Sequence, residues 1–352
     1  MHVVISGYYG FGNTGDEAIL LSIIQALKKV MPSIQITALS HTPEQTATSF
    51  QVQSVNRWNF RDIKRVIKAS DGLISGGGSL LQDSTSIKTV PYYIGLIHIA
   101  RWYKKPTFVY AQGIGPFRYK ISKWLVQKTL RHVNYITIRD QNSQQLLQQL
   151  SIQQPMQLVP DPVLGLVTTA TNPTIKKQPY IIVSVRPWKD AKSYLSKMAT
   201  YLDQMVAKGF NIVFLPMHDK TDEMTAKQIA AFMKEKSEMI SNLSLEEKVA
   251  IIKDATLVIG VRLHALVFAA ITNVPFIALS YDPKIEAFAN QCQMPLIGHI
   301  SNDDWQAKNL LQQTNKILAE LHKYKATLKQ KTDIYQMQAL DTAKLVLQTF
   351  KS

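Results

Sequence analysis

The stretch HVVISGYYGFGNTGDEAILL (residues 2–21) indicates the fold most clearly. Its apolar run over His2–Gly7 predicts a buried strand, and the spacing of apolar residues beyond the loop predicts a helix over Asp16–Val30. Four glycines lie between the two, where they permit positive φ angles and a close approach of the backbone to a ligand. The helix that follows offers free N–H groups at its start. Strand, glycine-rich loop and helix in this order are typical of the first unit of a Rossmann-like domain.

The same alternation of apolar runs and amphipathic stretches continues through most of the chain, which is the pattern of parallel sheets with crossover helices. The predicted strands lie at His2–Gly7, Gln35–Leu39, Gly72–Ser75, Thr107–Gln112, Tyr135–Arg139, Tyr180–Val185, Asn211–Pro216, Leu257–Gly260 and Pro275–Leu279. The predicted helices lie near Asp16–Val30, Asn59–Ala69, Pro91–Tyr103, Lys120–His132, Asn142–Leu150, Lys192–Ala207, Thr221–Glu235, Leu245–Asp254, Leu263–Ile271, Trp305–Tyr324 and Asp333–Lys351.

A Thr- and Pro-rich stretch without periodicity, Val167–Pro179, divides the pattern and predicts a linker. We therefore expect an N-terminal Rossmann-like domain over 1–170, a second over 178–325 and a C-terminal helix over 326–352. The predicted fold class is α/β: two doubly wound domains facing a cleft. Ligands are expected at the carboxyl ends of the strands.

Composition limits the classes of partner and compartment. The 352 residues contain 40 Lys and Arg against 25 Asp and Glu, and the net charge of +15 favours an anionic partner. The single cysteine, Cys292, can form no internal disulfide and no thiolate zinc site, which favours a cytoplasmic location. The N-terminus lacks the pattern of a signal peptide. The longest charge-free run, Leu263–Tyr281, contains His264, Asn273 and Pro275 and is interpreted as a buried helix followed by a strand rather than a membrane span.

Three glycine-rich loops follow predicted strands of the first half. The first lacks the Gly-Lys-Ser/Thr of a P-loop and matches a dinucleotide fingerprint poorly. Asp16 and Glu17 would repel a phosphate but suit hydroxyl groups, so we predict a sugar acceptor here; the other interpretation is a tight turn with Asp16 as the helix cap. The later clusters, Gly76–Ser79 and Gln112–Gly115, can form backbone nests for an anion or a sugar. The predicted acceptor-binding residues are Gly12, Asn13, Gly15, Gly77, Gly78, Ser79, Gln112, Gly113 and Arg139.

Cationic side chains follow the strands of the second half. Arg186, Arg262 and Lys284 suit carboxylate and phosphate oxygens, and His264 can transfer a proton near neutral pH. His218, after another strand, is added as a donor-binding candidate. The other interpretation makes each of them a surface cation or a buried, hydrogen-bonded histidine. No spacing of His, Cys or Asp supports a metal site, and no metal or redox cofactor is predicted.

Residues 101–131 contain eight basic residues, no acidic residue and several aromatic residues. This combination suits an anionic lipid surface or nucleic acid. Because no nucleic-acid-binding module accompanies it, we predict contact with a membrane rather than with nucleic acid; a merely solvated face is the other interpretation. The oligomeric state is left open.

Five motifs carry a resemblance to a known family: GFGNTGDEA (10–18), GGGSLLQD (76–83), AQGIGP (111–116), SVRPW (184–188) and GVRLHAL (260–266). In this order they resemble the polysaccharide pyruvyl transferases, and within them the CsaB-type branch of bacterial cell-wall polymer synthesis. The resemblance implies a glycosyltransferase-B-like pair of Rossmann-like domains. It implies transfer of a pyruvyl group from phosphoenolpyruvate to a sugar as a ketal, with release of phosphate. It also implies an N-acetylmannosamine-type acceptor on a lipid-linked precursor, and a product polymer that anchors S-layer proteins. His264 and Lys284 match positions that serve the donor.

The residue chemistry leads to specific roles. Phosphoenolpyruvate carries a carboxylate and a phosphate, which require several cations in a sheltered site. We assign protonation of its vinyl carbon to His264, anion binding to Arg186, Arg262 and Lys284, and binding or deprotonation of the acceptor hydroxyl to Asp16 or Glu17. We expect a cytoplasmic protein at the inner face of the plasma membrane. The alternatives are a nucleotide-sugar glycosyltransferase of the same fold and a non-catalytic protein that binds membrane or polymer.

Overall fold

The computed structural model describes residues 1–84, 86–168, 179–188, 192–301 and 304–351. They form two compact units, one of Met1–Val167 with Tyr335–Ser352 and the other of Thr168–Ile334. Nearly all of the predicted linker lies outside the described residues. The C-terminal helix, expected over 326–352, begins at Leu321, and its residues from Tyr335 onward belong to the first unit.

The first unit contains an eight-stranded parallel sheet. Its strands are β1 His2–Tyr9, β2 Gln35–Ser40, β3 Gln53–Asn56, β4 Gly72–Ser75, β5 Gly78–Leu81, β6 Thr107–Ile114, β7 Tyr135–Ile138 and β8 Met156–Leu158. The order is β3-β2-β1-β4-β6-β7-β8, with β5 paired to β6. From β1 the next strands along the chain, β2 and β3, extend toward one edge of the sheet, whereas β4 and the later strands extend toward the other. The topological switch point therefore lies between β1 and β4.

Helices cross between these strands. They are α1 Thr14–Val30, α2 Pro43–Phe50, α3 Phe60–Ala69, α4 Thr89–Trp102, α5 Lys120–Leu130 and α6 Gln141–Gln149, and a 3₁₀ turn follows at Pro162–Gly165. The central strand β1 is covered on both faces, since Val3, Val4 and Ile5 are fully buried. Burial on both faces explains why this strand is a continuous apolar run rather than an alternating one.

The second unit repeats the plan with six parallel strands in the order β11-β10-β9-β12-β13-β14. They are β9 Tyr180–Ser184, β10 Asn211–Phe214, β11 Glu238–Met239, β12 Leu257–Gly260, β13 Phe276–Ser280 and β14 Leu296–His299. The helices are α7 Lys192–Ala207, α8 Asp219–Phe232, α9 Leu245–Lys253, α10 Leu263–Ile271, α11 Pro283–Gln291, α12 Ala307–Ala319 and α13 Leu321–Lys351. Its switch point lies between β9 and β12, and Leu263–Tyr281 forms α10 and β13, as predicted.

The structure corrects the sequence prediction in three places. The strands β3, β8, β11 and β14 were missed because they lie at the edges of the sheets, where partial exposure leaves no continuous apolar run; the short strand β5 was missed as well. Helices α2 and α11 were missed as well, although each has a proline at its first turn. The single helix expected over Trp305–Tyr324 is divided, because α12 ends at Ala319 and α13 begins at Leu321. Trp305 itself precedes α12 and is fully buried.

Candidate active site

The first glycine-rich loop connects β1 to α1 and is held by its own side chains. The Asn13 carboxamide oxygen accepts a hydrogen bond from the Gly15 N–H at 3.1 Å and caps α1, so the cap is Asn13 rather than Asp16. Glu17 accepts a hydrogen bond from the Gly10 N–H at 2.7 Å. Gly10 has a φ of +78°, and a Cβ there would collide with Ser40 at the end of β2. Gly12, at the tip, is exposed.

The second glycine cluster approaches the acidic start of α1. A Cβ on Gly78 would lie 3.2 Å from Asp16 Oδ1, and the φ of Gly78 is +95°. A Cβ on Gly77 would meet Ile19 of α1 at 2.8 Å. The structure therefore brings together the first two loops that the sequence predicted, with the Asp16 carboxylate against the backbone of the second.

Arg139, which follows β7, connects the second glycine cluster to a buried carboxylate. Arg139 donates to Asp161 at 2.6 Å and to Ser79 Oγ at 3.1 Å, and the Arg139 and Asp161 side chains are almost fully buried. Gly113 lies beside this network, since a Cβ there would lie 3.0 Å from Ser79 Oγ. Arg139 thus holds Ser79 in place with its charge paired to Asp161, a partner that the sequence analysis did not assign.

Gln112 supports the second glycine cluster from below. Its amide donates to Ser75 Oγ at 2.8 Å and to the Gly76 carbonyl at 2.7 Å, and the side chain is fully buried. Within the described part of the chain its Oε1 atom accepts no hydrogen bond. Gln112 was predicted to bind the acceptor, but these contacts make it a support of the Ser75–Gly76 turn.

Burial raises the pKa values of two side chains beside the first loop, Glu17 and Tyr8. It raises the pKa of Glu17 from 4.5 to about 6, and the hydrogen bonds from the Gly10 and Phe11 N–H groups only partly oppose the shift. Glu17 is therefore a carboxyl group whose charge changes close to neutral pH. The pKa of Tyr8 is raised by burial and by the nearby Asp16 carboxylate.

In the second unit, the end of β9 presents Ser184 and Arg186. The Arg186 guanidinium lies 4.0 Å from the centroid of the Tyr281 ring, and Lys284 Nζ lies 6.0 Å from the same ring. Two of the predicted cations are thus neighbours of one aromatic side chain. Among the described residues, no carboxylate lies within ion-pair distance of Arg186, and Ser184 Oγ and Arg186 Nε are buried without a hydrogen-bond partner.

Arg262 has a partner that the sequence analysis missed. Its guanidinium makes two contacts with the Asp222 carboxylate, one of them from Nε at 3.0 Å, and Asp222 is 1% exposed. Asp222 also accepts from the N–H groups of Met217 and His218, at 3.2 and 2.9 Å. The carboxylate thus neutralises Arg262 and connects it to the loop after β10.

The Tyr194 hydroxyl of α7 interacts electrostatically with Asp222, Arg186 and Arg262. Its pKa is raised well above the usual value by burial and by Asp222, while Arg186 and Arg262 act in the opposite direction. Its buried hydroxyl has no hydrogen-bond partner among the described residues. The sequence contained no signal for it, since a tyrosine on the apolar face of a helix is ordinarily a core residue.

The remaining predicted residues lie at helix starts. His264 stands in the first turn of α10, where the helix dipole is positive, and its Nε2 atom is buried. Lys284 stands in the first turn of α11, half-exposed and 3.2 Å from Asp282. His218 caps the start of α8, and its ring contacts Thr221 Oγ1 at 3.1 Å. Arg186, Arg262, His264 and Lys284 therefore all follow carboxyl ends of strands in one sheet.

Comparison with known families assigns these residues to a class of enzyme. The family model for polysaccharide pyruvyl transferase matches residues 13–283, from the cap of α1 to the start of α11. The chain belongs to the polysaccharide pyruvyl transferase family. It is a transferase, with a pyruvyl donor and a polysaccharide acceptor implied by the family. A search of curated protein sequences found no match.

Solved structures similar to this pyruvyl transferase confirm the predicted fold class. The UDP-GlcNAc 2-epimerase of Neisseria meningitidis bound to UDP-GlcNAc is 11% identical with a TM-score of 0.65, over 99% of both chains. Anabaena HepE in complex with UDP-glucose is 10% identical with a TM-score of 0.68, over 100% of this chain and 99% of that one. S. aureus MnaA with UDP is 10% identical with a TM-score of 0.67, over 97% and 91%. At these identities the likeness concerns the fold.

Proposed function

We propose that the chain transfers the pyruvyl group of phosphoenolpyruvate to a sugar of a lipid-linked cell-wall polysaccharide precursor, of the N-acetylmannosamine type. The observation that carries the donor assignment is Arg186, which stacks on Tyr281 beside Lys284 with no carboxylate of the described residues within ion-pair distance. A small molecule with a carboxylate and a phosphate matches these two cations. Arg262, fixed by Asp222, presents a guanidinium of defined orientation.

The chemistry assigned to the second unit is protonation of the vinyl carbon. His264 donates a proton to C3 of phosphoenolpyruvate, which becomes a methyl group, while C2 becomes electrophilic. The first sugar hydroxyl forms a C–O bond to C2 and gives up its proton. The second hydroxyl forms the other C–O bond as the C2–O bond to phosphate breaks, and its proton leaves with the phosphate. The products are the pyruvyl ketal and inorganic phosphate, without a change of oxidation state.

The acidic start of α1 is assigned to the acceptor. Asp16 or Glu17 accepts a hydrogen bond from the attacking hydroxyl and removes its proton. Glu17, with a pKa of about 6, suits proton transfer near neutral pH. The exposed loop tip at Gly12 and the Gly77–Ser79 turn supply backbone groups for further hydroxyls.

The test is phosphate release from phosphoenolpyruvate with a synthetic lipid-linked N-acetylmannosamine acceptor, followed by mass and NMR spectra of the sugar product. We expect a ketal product, and we expect His264→Ala to abolish its formation. His322→Ala, a change at an exposed histidine of α13, is the matched control and keeps full activity. Near-normal turnover by His264→Ala removes the imidazole from the mechanism. Glycosyl transfer from UDP-glucose without any use of phosphoenolpyruvate favours the glycosyltransferase alternative instead.

The α4–α5 surface is proposed to bind the anionic membrane that carries the acceptor. Ile121, Trp124 and Lys128 share a face of α5, and Lys128 Nζ lies 4.5 Å from the Trp124 ring. Trp102, the last residue of α4, is 83% exposed. Nearby, Arg101, Lys104, Lys105 and His132 line a pocket of about 380 Å³. Within the described residues, none of these cations has a carboxylate at ion-pair distance, and no helix has the length and apolarity to cross a bilayer.

Vesicle co-sedimentation tests this surface. We expect binding to phosphatidylglycerol vesicles, weak binding to phosphatidylcholine vesicles, and a loss of binding as salt screens the charges. Reversal of Lys120, Lys123 and Lys128 to glutamate weakens the binding. Reversal of Lys323, Lys329 and Lys344 on α13, three cations with carboxylate partners, is the control of equal charge. Equal partitioning of the two triple variants would show that the α4–α5 surface is only a solvated face.

A further inference from the structure

Aromatic rings form a column beside the acidic start of α1. The Tyr8 ring stacks on Phe11, with centroids 4.2 Å apart and planes 10° apart, and Phe11 stacks on His41 at 4.6 Å and 2°. Trp58 joins the end of the stack, where its indole N–H donates to His41 Nδ1 at 3.4 Å. We call Tyr8, Phe11, His41 and Trp58 the aromatic column. Tyr8 lies at the end of β1, and Phe11, His41 and Trp58 follow β1, β2 and β3, at the carboxyl edge of the first sheet.

A buried arginine fixes the column from below. The Arg57 guanidinium lies 5.1 Å from the Phe11 centroid and 5.2 Å from that of Trp58. Arg57 donates to the Gly7 carbonyl at 2.8 Å, which ties it to the end of β1. Cation–π contacts to several rings hold these side chains in one arrangement. The column is therefore rigid before any ligand arrives.

The two terminal rings of the column remain accessible. Tyr8 is 40% exposed and Trp58 is 53% exposed, although each packs against a neighbouring ring. The Asp16 carboxylate lies close enough to raise the pKa of the Tyr8 hydroxyl. Exposed, ordered aromatic faces beside a carboxylate are costly to leave in water, and such patches mark binding sites.

We propose that the aromatic column binds a hexopyranose ring of the acceptor glycan, an inference that rests on the proposed function. A pyranose has an apolar face of C–H groups with partial positive charge and a rim of hydroxyl groups. The face of one pyranose stacks on the electron-rich face of Tyr8, while its rim hydroxyls reach the Asp16 carboxylate, and the neighbouring sugar of the glycan stacks on Trp58 at the other end of the column. The aromatic side chains therefore contribute to the affinity for the acceptor, whereas residues of the second unit bind the donor.

Steady-state kinetics with a soluble acceptor disaccharide test the assignment. We expect Trp58→Ala to raise the acceptor KM about tenfold, because one aromatic stacking contact is worth that order of affinity, with the KM for phosphoenolpyruvate unchanged. Trp58→Phe retains most of the affinity because it keeps an aromatic face. Phe232→Ala is the matched control, since Phe232 is an exposed aromatic residue at the end of α8, outside the column and outside the proposed membrane surface. An unchanged acceptor KM in a folded Trp58→Ala protein overturns the proposal.

A binding measurement separates this inference from the transfer reaction. Tryptophan fluorescence is titrated with a disaccharide of N-acetylmannosamine and N-acetylglucosamine, without phosphoenolpyruvate. We expect a saturable change that Trp58→Phe removes and Phe232→Ala preserves. If the sugar produces this change but no ketal ever forms, the column assignment stands and the pyruvyl transfer proposal fails. If ketal forms and Trp58→Phe leaves the fluorescence change intact, the column assignment fails and the transfer proposal stands.

Discussion

The ion pair between Asp222 and Arg262 offers a decisive test of how the second unit is held together. Asp222 is 1% exposed and Arg262 is 20% exposed, so the change Asp222→Ala leaves a largely buried guanidinium without its counter-charge. It also deprives the N–H groups of Met217 and His218 of their acceptor. The perturbation is confined to residues of the second unit.

The expected size follows from the burial of the pair. Removal of one partner from a buried ion pair costs about 3–5 kcal/mol, and the remaining exposure of Arg262 places this pair near the lower value, about 3 kcal/mol. With a urea dependence of about 2 kcal/mol per molar, the unfolding midpoint of the second unit falls by about 1.5 M. Asp222→Asn keeps an acceptor oxygen and loses only the charge, so its effect is smaller. The double change Asp222→Leu with Arg262→Met recovers the part of the loss that comes from the unpaired guanidinium, but not the part that comes from the unsatisfied N–H groups of Met217 and His218.

Urea unfolding is followed by circular dichroism and by tryptophan fluorescence, with the two units fitted as separate transitions. The transition of the first unit is the internal control and should not move. Asp333→Ala breaks an exposed pair with Lys329 in α13 and should cost no more than about 0.5 kcal/mol. A midpoint shift below about 0.3 M for Asp222→Ala would refute the reasoning, because it would mean that the pair contributes no more than a surface pair does. The double variant is also expected to be folded and inactive, since it lacks the Arg262 guanidinium.

Three further predictions concern single residues. Burial raises the pKa of Glu17 from 4.5 to about 6, so its contribution to stability is complete below pH 4.5 and is lost as the pH rises through about 6, a difference of about 2 kcal/mol. Glu17→Gln should remove this component from the pH dependence of the unfolding free energy. Identical pH profiles for the two proteins would contradict the assignment. Gly78→Ala, at a φ of +95° and with Asp16 Oδ1 3.2 Å from the new Cβ, should raise the acceptor KM while the KM for phosphoenolpyruvate stays constant, and equal changes in both would point to general unfolding. The buried Cys292 thiol, whose pKa burial raises to about 12, should react with iodoacetamide at pH 8 only after urea unfolding, and rapid labelling of the folded protein would contradict its burial.

The sequence determined the architecture and the motifs because both depend on local order along the chain. The apolar run before Gly7 and the periodicity after Asp16 predict a strand and a helix without reference to the rest of the molecule. The carboxyl ends of parallel strands lie at one edge of a sheet, so the proximity of the first two glycine loops followed from their positions. Arg186 and Lys284 are neighbours for the same reason, since β9, β12 and β13 are adjacent.

Only the tertiary structure decided which side chains pair. Asp222 and Arg262 are separated by 40 residues, and Gly7 and Arg57 by 50, so no local pattern relates them. Tyr194 has the sequence signature of an ordinary core residue, and the rings of the aromatic column come from the segments after three different strands. The acidity of Glu17 follows from burial, which is a property of the packed unit. A sequence specifies which residues can carry charge or stack, but the fold specifies their distances and their exposure to water, and the chemistry depends on both.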